Sequence, residues 1–157
     1  MNILITKSTG VGDTELSAFD NALYNAGVAN FNLIRLSSVI PEGAVVNRVS
    51  KYVRETKWGN KLYAVMAIQT TAKQGEKAVA GISWAYDENG ENGLFVEHEG
   101  NDIYTVDKQL KDSLTNLFKT RQMELKQMDT ILTDIDCKDK PVCAFVVAVF
   151  QEEDWNE

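Results

Sequence analysis

Seven short apolar or β-rich runs stand against only two stretches of helical spacing, and this imbalance limits the fold more than any other feature of the chain. Two helices are too few to enclose a core of their own. They must cover a sheet from outside, so a layered α/β or α+β architecture is expected. The strand-like runs are residues 2–6, 31–37, 62–71, 78–86, 94–99, 130–135 and 142–150. The first helix is expected over residues 14–26, with Leu16, Phe19, Leu23 and Ala26 on one face. Asp13 or Thr14 can cap it and Gly27 can end it. The second runs from Val106 to about Leu125, with Leu110, Leu114, Leu117, Phe118 and Leu125 inward. Turns are read at Gly10-Val11-Gly12-Asp13, at residues 73–76 and at residues 87–92. The acidic tail, residues 151–157, is expected to fray. No repeat or linker divides the 157 residues, which fit a single domain.

Charge narrows the partners. Acidic residues number 23 and basic ones 16, a formal charge of −7. That balance argues against nucleic acid or an anionic membrane as the main partner and is compatible with a cationic substrate. The first ten residues lack a basic segment followed by a long apolar one, so no signal peptide is read, and no run reaches transmembrane length. A cytoplasmic protein is expected. Cys137 and Cys143 have neither metal nor redox spacing and read as buried free thiols.

Three features depart from a plain structural pattern. Asp20 follows Leu16 by four residues and Phe19 by one, on or beside the apolar face of the first helix. A carboxylate there needs a partner, either a nearby backbone amide or a ligand. Glu97 shares a strand face with Phe95 and Glu99, while Leu94, Val96 and His98 share the other. On an edge strand that is a solvated face; in a buried sheet Glu97 would be a carboxylic acid with a raised pKa, able to donate a proton at neutral pH. His98, the single histidine, has no ligand spacing around it and is given no role. The pair Ser37-Ser38 closes the run 31–37 ahead of Pro41. By itself it is an ordinary strand ending.

Together these residues acquire a meaning. The segment AFDNALYNAG at residues 18–27, followed by NFNLIRLSSVIP at residues 30–41, resembles the pyruvoyl-dependent arginine decarboxylases. That family's pattern runs AFD-x-AL-x-NAG and then N-x-NLIR-x-SS-x-x-P. GLFVEHEG at residues 93–100 is similar to its second motif, which carries the catalytic glutamate. A thinner likeness continues to residues 143–148. Between Ser38 and Thr71 the chain departs from the family, lacking a Pro-rich segment and carrying Lys51, Arg54, Lys57 and Trp58; the turn DENGEN at residues 87–92 also differs.

The resemblance implies a four-layer αββα sandwich, cut by the protein itself between Ser37 and Ser38 into a short β chain (residues 1–37) and a longer α chain (residues 38–157). It implies a pyruvoyl group made from Ser38, with no pyridoxal phosphate and no metal. The ketone would form a Schiff base with the substrate amine and take up the electrons left by carbon dioxide. Glu97 would protonate the carbanion and Asn32 would hydrogen-bond near the pyruvoyl. Asp20 and Leu23 would bind substrate, Asp20 facing the guanidinium of arginine. The same resemblance implies a homotrimer with active sites between neighbours, and admits a dimer of trimers. Two other readings stay open: a pyruvoyl enzyme for histidine or lysine, and an unprocessed trimeric small-molecule-binding relative. A serine hydrolase fits poorly, since no histidine is placed to serve Ser38 and no G-x-S-x-G turn exists.

Overall fold

Val142–Glu153 carries eight consecutive buried residues, Val142 to Val149. In an extended chain successive side chains alternate, so such a run must be covered on both faces. The computed structural model, which describes residues 1–55 and 57–156, makes it the middle strand of a sheet. The described residues form β1 (Asn2–Val11), α1 (Glu15–Ala26), β2 (Asn32–Arg35), β3 (Val39–Ile40), β4 (Val45–Arg48), β5 (Lys61–Thr71), β6 (Lys77–Tyr86), β7 (Gly93–Gly100), α2 (Ile103–Thr120), β8 (Lys126–Asp136) and β9 (Val142–Glu153).

Two sheets result. One has the order β2-β5-β9-β1-β4, the other β3-β7-β6-β8. β9 is antiparallel to both β5 and β1, while β2 joins β5 in parallel and β4 joins β1 in parallel. The residues of β9 divide by parity. Val142, Ala144, Val146 and Ala148 pack into a cluster with Ala80, Ile82, Trp84 and Phe95 of the other sheet. Cys143, Phe145, Val147 and Val149 pack instead with Ala18, Ala22 and Ala26 of α1. A third cluster joins Val79, Leu94 and Val96 to Val106, Leu110, Leu114 and Phe118 of α2. The expected α+β class is therefore what forms. Cys137 and Cys143 are buried free thiols, and burial pushes the Cys143 pKa up to about 12.

Several boundaries differ from those read in the sequence, each for a physical reason. Gly10 and Val11 belong to β1 rather than to a turn. Glycine is needed at position 10 because α1 lies directly on it: a Cβ there would stand 2.2 Å from the Ala18 carbonyl oxygen. The phase of α1 is accordingly set by Ala18, Ala22 and Ala26, and Leu16 is 76% exposed instead of inward. Thr14 and Ser17 cap the helix reciprocally, each side chain accepting the other's backbone N–H, and Gly27 ends it at φ 87°. The second helix begins earlier than expected, capped by Asp102, and stops at Thr120; Leu125 packs on its cluster from outside the helix. β3 and β4, of two and four residues, were not legible as strands.

The tail is not frayed where it is described. Gln151, Glu152 and Glu153 continue β9, Asp154 pairs with Lys57, and the Trp155 indole donates to Gly59 O at 2.8 Å. Residue 157 of that tail, like residue 56, lies outside the described residues. Among the described residues no helix is long and apolar enough to cross a membrane.

Candidate active site

β2 is the edge of the first sheet and β3 the edge of the second, and only residues 36–38 separate them. The chain changes sheets over this short span. Leu36 N–H still donates to Ala64 O of β5 at 2.9 Å, while Ser38 O accepts from Phe95 N–H of β7 at 2.7 Å. The Ser37–Ser38 peptide bond therefore hangs between the last tie to one sheet and the first tie to the other. Val39 then pairs with Leu94 and Ile40 with Gly93. Continued by one pair, that antiparallel register sets Ser38 opposite Phe95, which puts both side chains on one side of the sheet.

Phe95 is buried in the cluster between the sheets, so Glu97, two residues further along β7, faces the same side. Its Cα lies about 7 Å along the strand from that of Phe95, opposite which Ser38 is held, at ~3.3 Å per residue. Burial raises the Glu97 pKa; the positive charge of Arg35 opposes the rise and the negative charge of Glu99 adds to it. Glu99 is raised as well, again by burial and again against Arg35. Glu97 is half-buried and Glu99, on the same face, is exposed, so the strand runs from the covered space between the sheets towards solvent. The other face of β7 behaves as a packing face: Leu94 and Val96 lie against α2, and His98 Nε2 meets Ser113 Oγ of α2 at 2.7 Å.

The remaining expected residues are not gathered here within one chain. Asp20 was expected on or beside the apolar face of α1; it is exposed instead, because the alanine seam sets the helix phase. It borders an open hollow with Ser17, Asn21, Tyr24 and Lys140, on the far side of the first sheet from Glu97. Leu23 packs against the cluster under α1. Asn32 is exposed at the start of β2, where its side-chain amide donates to Gly59 O at 2.7 Å. Ser38 lies six residues further along the chain, which sets an upper limit on the order of 20 Å on the separation of their Cα atoms.

Two participants were not singled out from the sequence. Arg35, inside the NLIR motif, places its guanidinium near both glutamates and donates from Nη1 to Met66 O at 3.0 Å. Its position in the motif was the available signal. The Phe95 N–H that holds Ser38 is a backbone group and leaves no mark in residue type.

Comparison with known proteins bears on this arrangement. The model of the pyruvoyl-dependent arginine decarboxylase family matches residues 2–154. A pyruvoyl-dependent arginine decarboxylase of Thermococcus sibiricus is 31% identical over 147 residues, 93% of this chain and 92% of the relative. One of Pyrococcus abyssi is 33% identical over 142 residues, 88% of this chain and 87% of the relative. One of Halobacterium salinarum is 45% identical over 95 residues, covering 60% of this chain and 58% of the relative. The class so defined is that of carboxy-lyases that work with a covalent pyruvoyl group in place of pyridoxal phosphate. Within it, this chain belongs to the pyruvoyl-dependent arginine decarboxylase family.

Proposed function

We propose that the chain cuts itself between Ser37 and Ser38, carries the resulting pyruvoyl group at residue 38, and converts arginine to agmatine and carbon dioxide. The observation that carries this reading is the sheet change at residues 36–38, which suspends the serine pair beside Glu97 with the Ser38 carbonyl held by Phe95 N–H. A peptide bond that belongs to neither ladder is free to distort, and a neighbouring donor fixes one side of it. Ser38 is partly exposed, which leaves room for a substrate amine to approach. These residues fit a pyruvoyl group.

In the cleavage step, Ser38 Oγ attacks the carbonyl carbon of Ser37 and its proton passes to the Ser38 nitrogen as the C–N bond breaks. An ester replaces the amide. Loss of the Ser38 Cα proton then expels the Ser37 carboxylate, freeing residues 1–37. The dehydroalanine left behind takes up water and releases ammonia, which leaves a ketone at residue 38. Once formed, that ketone supplies the electron sink for loss of carbon dioxide. Glu97, whose pKa burial raises, is the group that supplies a proton to the carbon that carbon dioxide leaves. From a neighbouring chain, Asp20 binds the guanidinium as a planar ion pair, Leu23 lies on the same helix beside it, and Asn32 contributes an amide near residue 38 of the first chain.

The three apolar clusters support a four-layer αββα sandwich. The separation of Asp20, Leu23 and Asn32 from Ser38 and Glu97 within one chain supports a site completed by a neighbouring chain; we take that assembly to be a homotrimer, with pairing of trimers as a further level. The chain is one decarboxylase domain, residues 1–157, that works in the cytoplasm.

Intact-mass measurement under denaturing conditions tests the reading directly. Two chains are expected, residues 1–37 and 38–157, the second without a free α-amine, and Ser38→Ala should remain whole. A wild-type protein that stays a single chain would overturn it.

A further inference from the structure

The parallel ladder between β2 and β5 stops one step short of where its own spacing would take it. Asn32 N–H donates to Asn60 O at 2.8 Å and Leu36 N–H to Ala64 O at 2.9 Å. In a parallel pair the edge strand reaches every second carbonyl of its neighbour. Two residues on, the donor would be Ser38 N–H and the acceptor Met66 O. That bond is not what forms: Arg35 Nη1 donates to Met66 O at 3.0 Å, and Ser38 gives its carbonyl to Phe95 of the other sheet.

We propose that Arg35 is a positioning residue that occupies the Met66 carbonyl in place of Ser38 N–H, and so keeps the serine pair off the first sheet and delivers it to β7. The inference rests on the self-processing reading for its purpose, though not for its geometry.

Three considerations carry it. Beyond Arg35, β5 has no strand paired on that side among the described residues, and a carbonyl left unpaired on a strand edge tends to pair with the nearest free N–H. The segment nearest to it is the serine pair itself, which would need only to continue straight. Were it to do so, the peptide bond to be cut would lie in a regular ladder, and Ser38 would lose its tie to Phe95 and its place beside Glu97. Arginine suits the task, since its planar fork carries several donors and cannot lose its charge. One of them satisfies Met66, while the positive charge still acts on Glu97 and Glu99 of β7 and opposes the rise in both of their pKa values.

The test uses two backgrounds. In Ser38→Ala, which cannot cleave, amide hydrogen exchange is followed at Phe95 with Arg35 intact and with Arg35→Met. Protection of the Phe95 amide should fall by about tenfold or more in the double variant, while amides in the middle of β9 keep theirs. Arg35→Lys, which can still reach the carbonyl, should restore it. In the chain with Ser38 present, the rate at which residues 1–37 appear should fall by about tenfold or more in Arg35→Met at full length and return with lysine. Equal protection of Phe95 with and without Arg35, or cleavage of Arg35→Met at the wild-type rate, overturns the proposal. Should Arg35→Met lose its fold, judged by β9 exchange, Arg35→Gln, whose shorter amide falls short of Met66, carries the same comparison. If wild type does not cleave, the self-processing reading fails, and the exchange measurement still decides on Arg35.

Discussion

Burial and a like-charged neighbour both favour the protonated form of Glu97, while Arg35 and a backbone hydrogen bond pull the other way. An acid catalyst must hold its proton at working pH, so turnover should fall as pH rises through the Glu97 pKa. Glu99→Gln removes a charge that raises that pKa, so this limb of the pH profile should move to lower pH; a limb that stays in place removes Glu97 from the role. Glu97→Gln keeps the shape and loses the proton. Cleavage should survive it while turnover drops by roughly 10²–10⁴-fold, the usual worth of a general acid. The same substitution has a stability consequence whose sign can be worked out. A carboxyl whose folded pKa lies above its unfolded one stabilises the fold below the unfolded value and loses that contribution as pH rises through the folded one. Glutamine does not ionise, so the stability of Glu97→Gln relative to wild type should increase as pH rises from acid to neutral, read by thermal unfolding at a series of pH values. Glu97 was legible in the sequence because alternation put it on the face of Phe95. Asp20 was misplaced because two apolar residues before it, Leu16 and Phe19, do not fix a helix phase when three alanines fix another.

Elements were legible where packing demanded a long pattern and illegible where it demanded only closeness. The eight-residue apolar run of β9 and the four-residue spacing of Val106, Leu110, Leu114 and Phe118 announce a central strand and a half-buried helix. β1 announces less. Its Gly10, and Gly12 just past its end, look like turn residues, yet they are there so that α1 can lie almost on the backbone: a Cβ on Gly12 would stand 2.5 Å from Ala18 N. A glycine that serves approach and a glycine that serves a turn look alike in a sequence. The two roles separate by experiment. Gly10→Ala should destabilise the protein by about 1–3 kcal/mol, the range for forcing atoms into a packed contact, because the atoms it meets are helix backbone and cannot step aside. Gly75→Ala, at a true turn with open space around it, pays only for its left-handed backbone, φ 84°, about 1–2 kcal/mol. Denaturant unfolding should therefore show a changed native near-ultraviolet signal only for Gly10→Ala, since only there must α1 shift. The sheet change at residues 36–38 was half legible: its serines and Pro41 mark the end of a strand, while the Phe95 N–H that receives the chain is mute in any sequence.

At the scale of the whole molecule the question is how many chains make one site. Glu97 faces the space between the sheets, whereas Asp20 stands on the outer side of α1, with the first sheet between them. A single arginine cannot touch both in one chain, so the reading that uses both needs two. In a ring of identical contacts each site would take Ser38 and Glu97 from one protomer and Asp20 from its neighbour. Asp20→Asn alone should leave cleavage intact and weaken arginine by about 2–5 kcal/mol, the cost of losing one partner of a desolvated ion pair. Lysine and histidine, lacking the planar fork, should lose less. The sharper experiment mixes two inactive proteins. Where a Glu97→Gln protomer offers its intact Asp20 to an Asp20→Asn protomer with intact Glu97, one site is whole. With random association about a quarter of the sites should be of that kind, so co-expressed variants should release carbon dioxide from arginine far above either variant by itself. If each site lay within one chain, every site in the mixture would carry one defect and activity would stay at the sum of the two backgrounds. The outcome decides whether the exposed carboxylate of α1 is surface charge or the far wall of a neighbour's active site.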